Sequence, residues 1–369
     1  MTDRKKHIAV LLSFVLVLGL LSGACLLKQP LAVSDSERRP LAQMPVFSAE
    51  TLLNGKFFAD FETYATDQFP LRDVFRQVKA WVQTKLLGRQ DNNGYYEVDG
   101  YLSKLDSTLN KDSIAHAAER MNYLYNTYFA KGSHKIAYGI VPDKNYFLAA
   151  PNGYPSMDYD ALRAMMREEL GGAMQEIDLF SALTIEDYYR TDTHWRQERL
   201  DKVVQEIART LGIADRLSGR HTQQALTPFY GVYSGQSALP CAPETLYYLT
   251  NETLDNCIVT QVETGKTGPV YDLPRFEGAD PYELFLSGSQ AILTIQNPAN
   301  TSGERLIVFR DSFGSAVVPL LVEAYSEIVV VDIRYVPSAF VGRFVEFNGN
   351  EDVLFLYSAL VLNSSAALK

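Results

Sequence analysis

Four short runs of apolar residues limit the folds open to this chain more than any other feature of its sequence. They occupy residues 135–141, 305–309, 327–331 and 353–357, and the last of them, Val-Leu-Phe-Leu-Tyr, is apolar throughout. Runs of this length and composition are typical of parallel strands buried on both faces. Stretches with helical periodicity lie between them, and strands that alternate with helices predict a doubly wound α/β sheet.

The amino-terminal segment is predicted to enter a membrane. Basic residues at positions 4–6 precede an uncharged apolar run over residues 8–27, which is near the roughly 20 residues that a membrane helix needs. Positive charge on this side predicts a cytoplasmic amino terminus and an exported remainder. The segment 1–28 is then either a retained anchor or a signal peptide cleaved after Ala24, with lipid attachment at Cys25 as a third alternative.

The rest of the chain divides by composition. Residues 29–90 begin as a proline-punctuated linker and continue with two helical patterns, so they are predicted to form an amphipathic helical neck. Residues 91–369 carry the α/β pattern and form the main domain. Within it, residues from about 215 to 300 are rich in Tyr, Thr, Gly and Pro and are predicted to be a β-rich insertion.

Charge and composition exclude some classes of protein. With 369 residues, 47% of them hydrophobic and 21% charged, the chain is globular rather than disordered. Its net charge of −10 and sequence pI of about 5.1 argue against a nucleic-acid partner, because no basic surface is available to neutralise phosphates.

The cysteines and the scattered histidines give no pattern for a metal site. Cys241 and Cys257 could pair as a disulfide in an oxidising compartment, or could be two unpaired small hydrophobic residues. No Cys-x-x-Cys accompanies them, and His116, His134 and His221 lack partners at ligand spacing and are expected at the surface. No metal and no cofactor are therefore predicted.

The first candidate for chemistry follows the apolar run 305–309. There the sequence reads Arg310-Asp311-Ser312-Phe313, after which a helix is predicted to begin. A serine at this point lies at the carboxyl edge of the sheet, where α/β folds place their sites, and backbone N–H groups such as that of Phe313 could stabilise an oxyanion. The structural alternative is that Ser312 and Asp311 only cap the helix.

The second candidate is Asp192-Thr193-His194-Trp195. In an extended or turn conformation, an aspartate and a histidine two residues apart can face the same side. Asp192 could then accept from Nδ1 of His194 and leave Nε2 to take the proton of a serine hydroxyl. Trp195 would pack beneath the pair as a support. The structural alternative is a loop histidine held by a local aspartate.

Taken together, Asp192-Thr193-His194-Trp195 and Asp311-Ser312 resemble the DHHW family and the alginate O-acetyltransferases of the AlgJ/AlgX type. In these SGNH-hydrolase-like proteins the Asp-x-His pair precedes the serine along the chain. Further stretches look similar to these proteins, namely residues 39–42, 55–57, 67–73, 141–144, 231–235 and 352–357.

The resemblance implies a three-layer SGNH-hydrolase-like, or flavodoxin-like, α/β domain with a parallel sheet. It implies that Ser312 is the nucleophile, His194 the general base and then acid, and Asp192 the residue that orients it. The expected activity is O-acetyl transfer through acetyl-Ser312 to a cell-envelope or secreted polysaccharide, with a membrane acyl-donor protein as a possible partner. The alternatives are a carbohydrate esterase or deacetylase and a non-catalytic glycan-binding envelope assembly protein.

The sequence departs from the family at two positions. Thr193 stands where the family name has a second His, at a position expected to point away from the Asp–His pair. Arg310 stands where SGNH enzymes usually have a glycine, and it could crowd the turn or bind an anionic substrate group.

Three more polar residues are candidates for the cleft. Lys144 follows the end of the strand at 135–141 and could line the cleft, although most such lysines are solvated. Asn297 precedes a proline and could donate to an oxyanion. Tyr335 lies beyond the strand at 327–331 and could reach the pocket.

Overall fold

The computed structural model describes residues 3–133 and 135–369, apart from the side chain of Leu26. The chain forms two compact units. The first unit comprises the described residues up to Asn92 together with Gly235–Pro240, and the second comprises Asn93–Ser234 and Cys241–Lys369.

The first unit is mainly helical, as its periodicity predicts. Its first helix is the only one in the described chain that is long and apolar enough to cross a membrane. A retained anchor and a signal sequence both have this character, so both alternatives stay open. The elements of this unit are α1 Asp3–Leu27, β1 Val33–Ser34, β2 Arg39–Pro40, α2 Ala49–Leu53, α3 Lys56–Asp67 and α4 Arg72–Trp81, which continues as a π-helical turn over Val82–Leu86.

Local sequence explains where these helices begin and end. The Ser48 side chain accepts from the Thr51 N–H and forms a capping box that starts α2. Helix α3 ends at Gln68, and Pro70 follows, which cannot continue an α-helix. Leu71 then takes a left-handed conformation, with φ of 56°, before α4 starts. The predicted junction between two neck helices is present.

The second unit carries the remaining elements. Its helices are α5 Lys111–Leu124, extended by a π turn over Tyr125–Phe129, α6 Lys144–Leu148, α7 Tyr159–Leu170, α8 Leu179–Ala182, α9 Asp201–Leu211, α10 Val232–Ser237, whose last residues belong to the first unit, α11 Glu252–Asn256, α12 Gly314–Val317 and α13 Ala359–Asn363. Its 3₁₀ turns are Ala150–Asn152, Ile185–Asp187, Gln197–Arg199, Ala214–Arg216, Leu273–Glu277, Pro281–Leu284, Val318–Ala324, Ser338–Arg343 and Ser365–Ala367. Its strands are β3 Tyr95–Val98, β4 Tyr101–Lys104, β5 Ile136–Val141, β6 Gln175–Ile177, β7 Thr222–Phe229, β8 Glu244–Thr250, β9 Ile258–Gln261, β10 Thr267–Gly268, β11 Ile292–Gln296, β12 Arg305–Arg310, β13 Glu327–Val331 and β14 Asp352–Ser358.

Eight of these strands form one mixed sheet in the order β10-β9-β11-β13-β12-β14-β5-β6. The five from β13 to β6 are parallel, and the four apolar runs of the sequence supply β5, β12, β13 and β14. The mixed α/β architecture with a large, mainly parallel sheet is thus confirmed. All four runs end at the same edge, because parallel strands share one direction.

Both faces of this sheet are buried. Along β12, Leu306 and Val308 join one core cluster while Ile307 and Phe309 join the other, as strand alternation requires. Helix α9 covers the first face, and helices α5 and α7 cover the second. The side chains at the carboxyl edge are therefore held by strands that are fixed on both sides.

Residues 215–300, predicted as an insertion, form a separate hairpin and also add strands to the main sheet. Strands β7 and β8 form a separate antiparallel hairpin. Strands β9, β10 and β11 instead extend the main sheet, because β11 pairs with all five residues of β13. Strands β3 and β4 form a second antiparallel hairpin, which turns around Asp99.

Candidate active site

Ser312 lies directly after β12, at the carboxyl edge of the sheet, and its side chain is partly buried. The preceding Asp311 fixes the turn, since its carboxylate accepts from the Ser358 N–H at 2.8 Å and from the Phe313 N–H at 3.0 Å. Asp311 is fully buried. Of the two capping residues considered from the sequence, Asp311 is the one that acts structurally, and the hydroxyl of Ser312 is left for another partner.

Gly314 allows this turn to close against β12. A Cβ at this position would lie 2.7 Å from the Cβ of Arg310, closer than packed side chains come to each other. Only a residue without a side chain fits at such a close approach. The arginine before the Asp-Ser pair is therefore accommodated by the glycine that follows it.

His194 joins Ser312 to Asp192. Its Nε2 lies 2.8 Å from Oγ of Ser312, and its Nδ1 lies 2.6 Å from Oδ1 of Asp192. Asp192 is fully buried, and His194 is 6% exposed. A buried carboxylate next to Nδ1 favours the tautomer that carries its proton there, so Nε2 is free to accept the serine proton.

Asp192 is itself held by backbone donors. Its Oδ1 also accepts from the His194 N–H at 3.0 Å, and its Oδ2 accepts from the Val232 N–H at 2.8 Å. Each oxygen thus has a donor that fixes the plane of the carboxylate. The Gly231–Val232 segment that supplies one of them comes from the stretch 231–235, which the resemblance had singled out.

The segment that carries Asp192 and His194 closes on itself. Tyr188 and Trp195 form an antiparallel bridge, and the Tyr189 N–H donates to the carbonyl of His194 at 3.1 Å. The carboxylate of Glu244 then accepts from the N–H groups of Arg190 and Thr191, at 2.8 and 2.7 Å. A loop pinned in this way places its side chains as firmly as a regular element does.

Aromatic rings enclose the imidazole of His194. The Tyr282 ring stacks on it at 3.9 Å between centroids and 5° between planes, and the Phe313 ring packs at 5.0 Å. Trp195 donates its indole N–H to the carbonyl of Phe313 at 3.0 Å and so ties the two halves of the site together. The Trp195 ring thus packs on Phe313, and the ring that stacks on His194 is that of Tyr282. Tyr282 was not predicted, because it lies in a region without clear periodicity.

Lys144 does not line a cleft. It is buried and supports the loop that carries Asp192 and His194. It is 1% exposed, and its ammonium donates to the carbonyls of Tyr189 and Arg190 at 3.0 and 2.9 Å. The same group lies 4.9 Å from the centroid of the Tyr233 ring. Burial lowers the pKa of Lys144 to about 7, against the opposing charge of Asp192. Lys144 therefore holds the backbone just before Asp192.

Arg310 does not face a substrate. It is fully buried, with a guanidinium nitrogen 3.7 Å from Oδ2 of Asp332, and it donates to the carbonyls of Asp311 and Gly288 at 3.3 and 3.4 Å. The expectation that Arg310 binds an anionic substrate group is therefore wrong in this structure. The side chain folds back under the turn, where Gly314 leaves room for it.

The N–H of Phe313 is also unavailable to an oxyanion, because Asp311 accepts from it. The N–H of Ser312, in contrast, makes no hydrogen bond to the residues that the structure describes. Of the backbone N–H groups considered as oxyanion donors from the sequence, that of Ser312 therefore stays a candidate and that of Phe313 does not.

Asn297 lies away from Ser312, whereas Tyr335 lies at the same edge of the sheet as Ser312. Asn297 follows β11, which runs antiparallel to β13, so it lies at the opposite edge of the sheet from Ser312. Its amide donates to the carbonyl of Val322 at 2.9 Å, so its predicted role as an oxyanion donor is wrong. Tyr335 does lie at the carboxyl edge, beyond β13, but its ring is 52% exposed and packs beside the guanidinium of Arg334.

Of the two alternatives for Cys241 and Cys257, the structure has the unpaired one, and both cysteines are free thiols. Cys241 precedes β8, whereas Cys257 follows that seven-residue strand and is buried in the core. Strand β8, roughly 23 Å long, separates them in the chain, and a disulfide needs Cα atoms within about 6 Å of each other.

Of the remaining histidines, His116 lies on α5 with its Nδ1 3.0 Å from Oγ of Ser365. His221 is partly exposed just before β7, and His134 lies outside the described residues. Within residues 3–133 and 135–369, no three His, Cys, Asp or Glu side chains come together as a metal site.

Gly231 offers a direct test of how the Asp192 loop is held. A Cβ on Gly231 would lie 2.3 Å from the backbone nitrogen of Asp192, so Gly231→Ala must push the two segments apart. We expect it to cost about 2–3 kcal/mol and to lower Tm by roughly 5–10 °C in a thermal unfolding experiment. The control is Gly172→Ala, where nothing lies within 4 Å. Equal Tm values for the two variants would contradict the close approach.

The site lies within a region of known similarity. The sequence profile of the DHHW protein family matches residues 166–331, which include both the Asp192–Trp195 segment and Ser312. No curated protein shows significant sequence similarity to this chain. The resemblance to the DHHW family expected from the sequence is confirmed.

The comparison with solved structures matched, among others, three proteins, two of them with a TM-score above 0.5. A DHHW family protein from Eubacterium siraeum shares 21% identity over 75% of this chain and 94% of its own, with a TM-score of 0.59. PatB1 of Bacillus cereus, solved with a sulfonyl adduct, shares 19% identity over 73% and 95%, with a TM-score of 0.56. The O-acetyltransferase domain of Pseudomonas putida AlgJ shares 14% identity over 73% and 92%, with a TM-score of 0.45.

Proposed function

We propose that this chain, which matches the DHHW family over residues 166–331, is a serine-dependent O-acetyltransferase that acts on a polysaccharide. The observation that carries the proposal is the unbroken contact from Ser312 through His194 to the buried Asp192, at 2.8 and 2.6 Å. A nucleophile, a base and an orienting carboxylate in this arrangement are the requirements of acyl transfer through a covalent intermediate.

In the first half of the reaction, Oγ of Ser312 attacks the carbonyl carbon of an acetyl donor while Nε2 of His194 accepts the serine proton. The buried carboxylate of Asp192 stabilises the imidazolium that results. The N–H of Ser312 donates to the oxyanion of the tetrahedral intermediate. When this intermediate collapses, His194 returns the proton to the leaving group, and an acetyl ester of Ser312 remains.

In the second half, a hydroxyl group of the sugar attacks the acetyl carbonyl of Ser312. His194 accepts the hydroxyl proton and then gives it to Oγ of Ser312 as the ester bond to the enzyme breaks. The product is an O-acetylated sugar. If water attacks in place of the sugar, the same residues make the protein a carbohydrate esterase or deacetylase.

The proposed location is outside the cytoplasmic membrane. The basic residues 4–6 and the apolar helix α1 support export of the domain that follows, either anchored or cleaved. A polysaccharide of the cell envelope, or one that is secreted, is then the acceptor. The acetyl donor would be presented there by a membrane protein.

Trapping the covalent intermediate tests this function. We expect purified protein given a chromogenic acetyl ester to release one burst of product and to gain one acetyl group on the peptide that contains Ser312. A sulfonyl fluoride should label the same serine, since Bacillus cereus PatB1 has been solved with a sulfonyl adduct. The measurement is mass spectrometry of the digested protein, with and without candidate glycans.

The product that receives the acetyl group from Ser312 then distinguishes the alternative functions. Acetylated glycan identifies a transferase, and free acetate alone identifies an esterase. Tight glycan binding with no acetylated or sulfonylated Ser312 would overturn the enzyme proposal in favour of a glycan-binding envelope assembly protein.

A further inference from the structure

Helix α4 in the first unit turns its apolar side chains to the outside. Five of them lie three or four residues from another member of the set, beginning at the residue before the helix, and all are between 48% and 68% exposed. We call them the outer face of α4. They are Leu71, Val74, Phe75, Val78 and Trp81.

Two arginines of α4 point inward instead. Arg72 and Arg76 each pair with Glu37, at 2.5 and 3.2 Å, and their side chains are only 15% and 14% exposed. Arg76 also donates to the carbonyl of Gly235 at 2.8 Å, and Ala80 on the same side is fully buried. A helix on the surface of a water-soluble protein has the opposite arrangement. The polarity of α4 therefore suits an apolar surrounding.

The beginning of α4 is held close to the end of the membrane-length helix. Leu31 lies four residues beyond the last residue of α1, and its N–H and carbonyl both bond the side chain of Gln68, at 2.9 and 2.8 Å. Four residues extend at most about 14 Å. Gln68 is in turn only a few residues before α4 along the chain, so this helix starts within a short distance of the end of α1.

Most of the charged residues in and just after α4 are basic. Between positions 71 and 89 the chain carries five basic residues and one acid, Asp73. Of the basic residues, Lys79, Lys85 and Arg89 are exposed. An apolar face with a tryptophan and a basic margin is the pattern of helices that lie in the interface of an anionic bilayer.

We propose that α4 lies in the membrane–water interface at the carboxyl end of α1, with its outer face among the acyl chains and its exposed basic residues among anionic headgroups. The inference requires α1 to be retained as a membrane span and is independent of the acyl-transfer chemistry. Its consequence is that the neck is a second membrane contact rather than a free spacer.

The chain has two tryptophans, and only one of them belongs to the outer face, so tryptophan fluorescence can report on that face specifically. Trp81 belongs to the outer face, whereas Trp195 is fully buried in the second unit, with its indole N–H bonded. The full chain is reconstituted in vesicles of phosphatidylcholine and phosphatidylglycerol, with plain or brominated acyl chains. We expect brominated lipids to reduce the Trp81 fluorescence by about half or more and to leave Trp195 unchanged. Trp81→Phe, which leaves only the Trp195 signal, should abolish the quenching.

A matched pair of variants tests the outer face itself. Val78→Glu should weaken the quenching of Trp81 by brominated lipids and increase its quenching by aqueous iodide. Gln77→Glu adds the same charge at the neighbouring exposed position and should leave both unchanged. Equal fluorescence in plain and brominated vesicles, with free access of iodide, would overturn the proposal. So would protection of Trp81 from both quenchers, which would indicate that another protein surface covers the outer face.

Discussion

Replacing Ser312 by alanine should abolish the acyl-enzyme and reduce turnover of acetyl esters about 10⁴-fold or more. The reason is that Oγ of Ser312 is the atom within 2.8 Å of Nε2 of His194, and no other hydroxyl contacts that nitrogen in the described part of the chain. Glycan affinity should stay nearly unchanged, because the substitution removes one partly buried oxygen and little contact area. Burst kinetics and intact mass measure the first effect, and calorimetry with glycan measures the second.

Ser315→Ala is the matched control. Ser315 lies three residues further on, in α12, and is 3% exposed. Its backbone N–H bonds the carbonyl of Ser312, and alanine keeps that bond. Wild-type turnover is expected for this variant. If the two variants lost activity equally, the loss would report damage to α12, and if neither lost it, the nucleophile would lie elsewhere.

The second large effect is expected for Asp192→Asn, with a loss of about 10⁴-fold in kcat, as the corresponding change causes in serine proteases. Both carboxylate oxygens of Asp192 accept, one from His194 and the other from the Val232 N–H. An amide has only one acceptor oxygen, so its NH₂ must face one of these donors. If it faces His194, the imidazole takes the tautomer that cannot accept the serine proton.

The measurement is kcat on an acetyl ester, together with Tm to verify the fold. Asp201→Asn serves as the control, since Asp201 is an exposed acid at the start of α9 and should retain full activity. A wild-type rate for Asp192→Asn would show that the orientation of His194 does not depend on this carboxylate.

The parallel part of the sheet could be predicted from the sequence because its strands are buried on both faces. A strand buried on both faces is a run of consecutive apolar residues, as in β14. Loops do not have such runs, so the strand can be recognised in the sequence. Strand β9, by contrast, reads Ile-Val-Thr-Gln and has an exposed residue at its start. Its place in the sheet depends on antiparallel pairing with β11, which is a long-range contact that local composition does not record.

The site could be predicted as far as its chemistry is local. Asp192 and His194 are two residues apart, and Ser312 follows a recognisable strand, so their contact through His194 could be predicted. The sequence does not exclude an anion-binding role for Arg310 or an oxyanion role for Asn297. The structure does, because Gly314 leaves room for the Arg310 side chain under the turn and because β11 carries Asn297 to the opposite edge of the sheet. The ring of Tyr282 reaches His194 from 88 positions further along the chain, within a region without periodicity.

The bridge between Tyr188 and Trp195 has a consequence for the order of the active-site residues along the chain. Since the loop joins its own two ends, only a few residues must be ordered to form it, and the entropic cost of its closure is small. Its other supports, Glu244, Lys144 and the Val232 N–H, are contacts through space that do not depend on which strand precedes or follows it in the chain. Such a loop can be placed before or after the serine with the same geometry, so genetic transposition or circular permutation could reverse the order without rebuilding the catalytic contacts. A circularly permuted chain opened at an exposed turn outside residues 187–196 should therefore retain the Asp192–His194 contact.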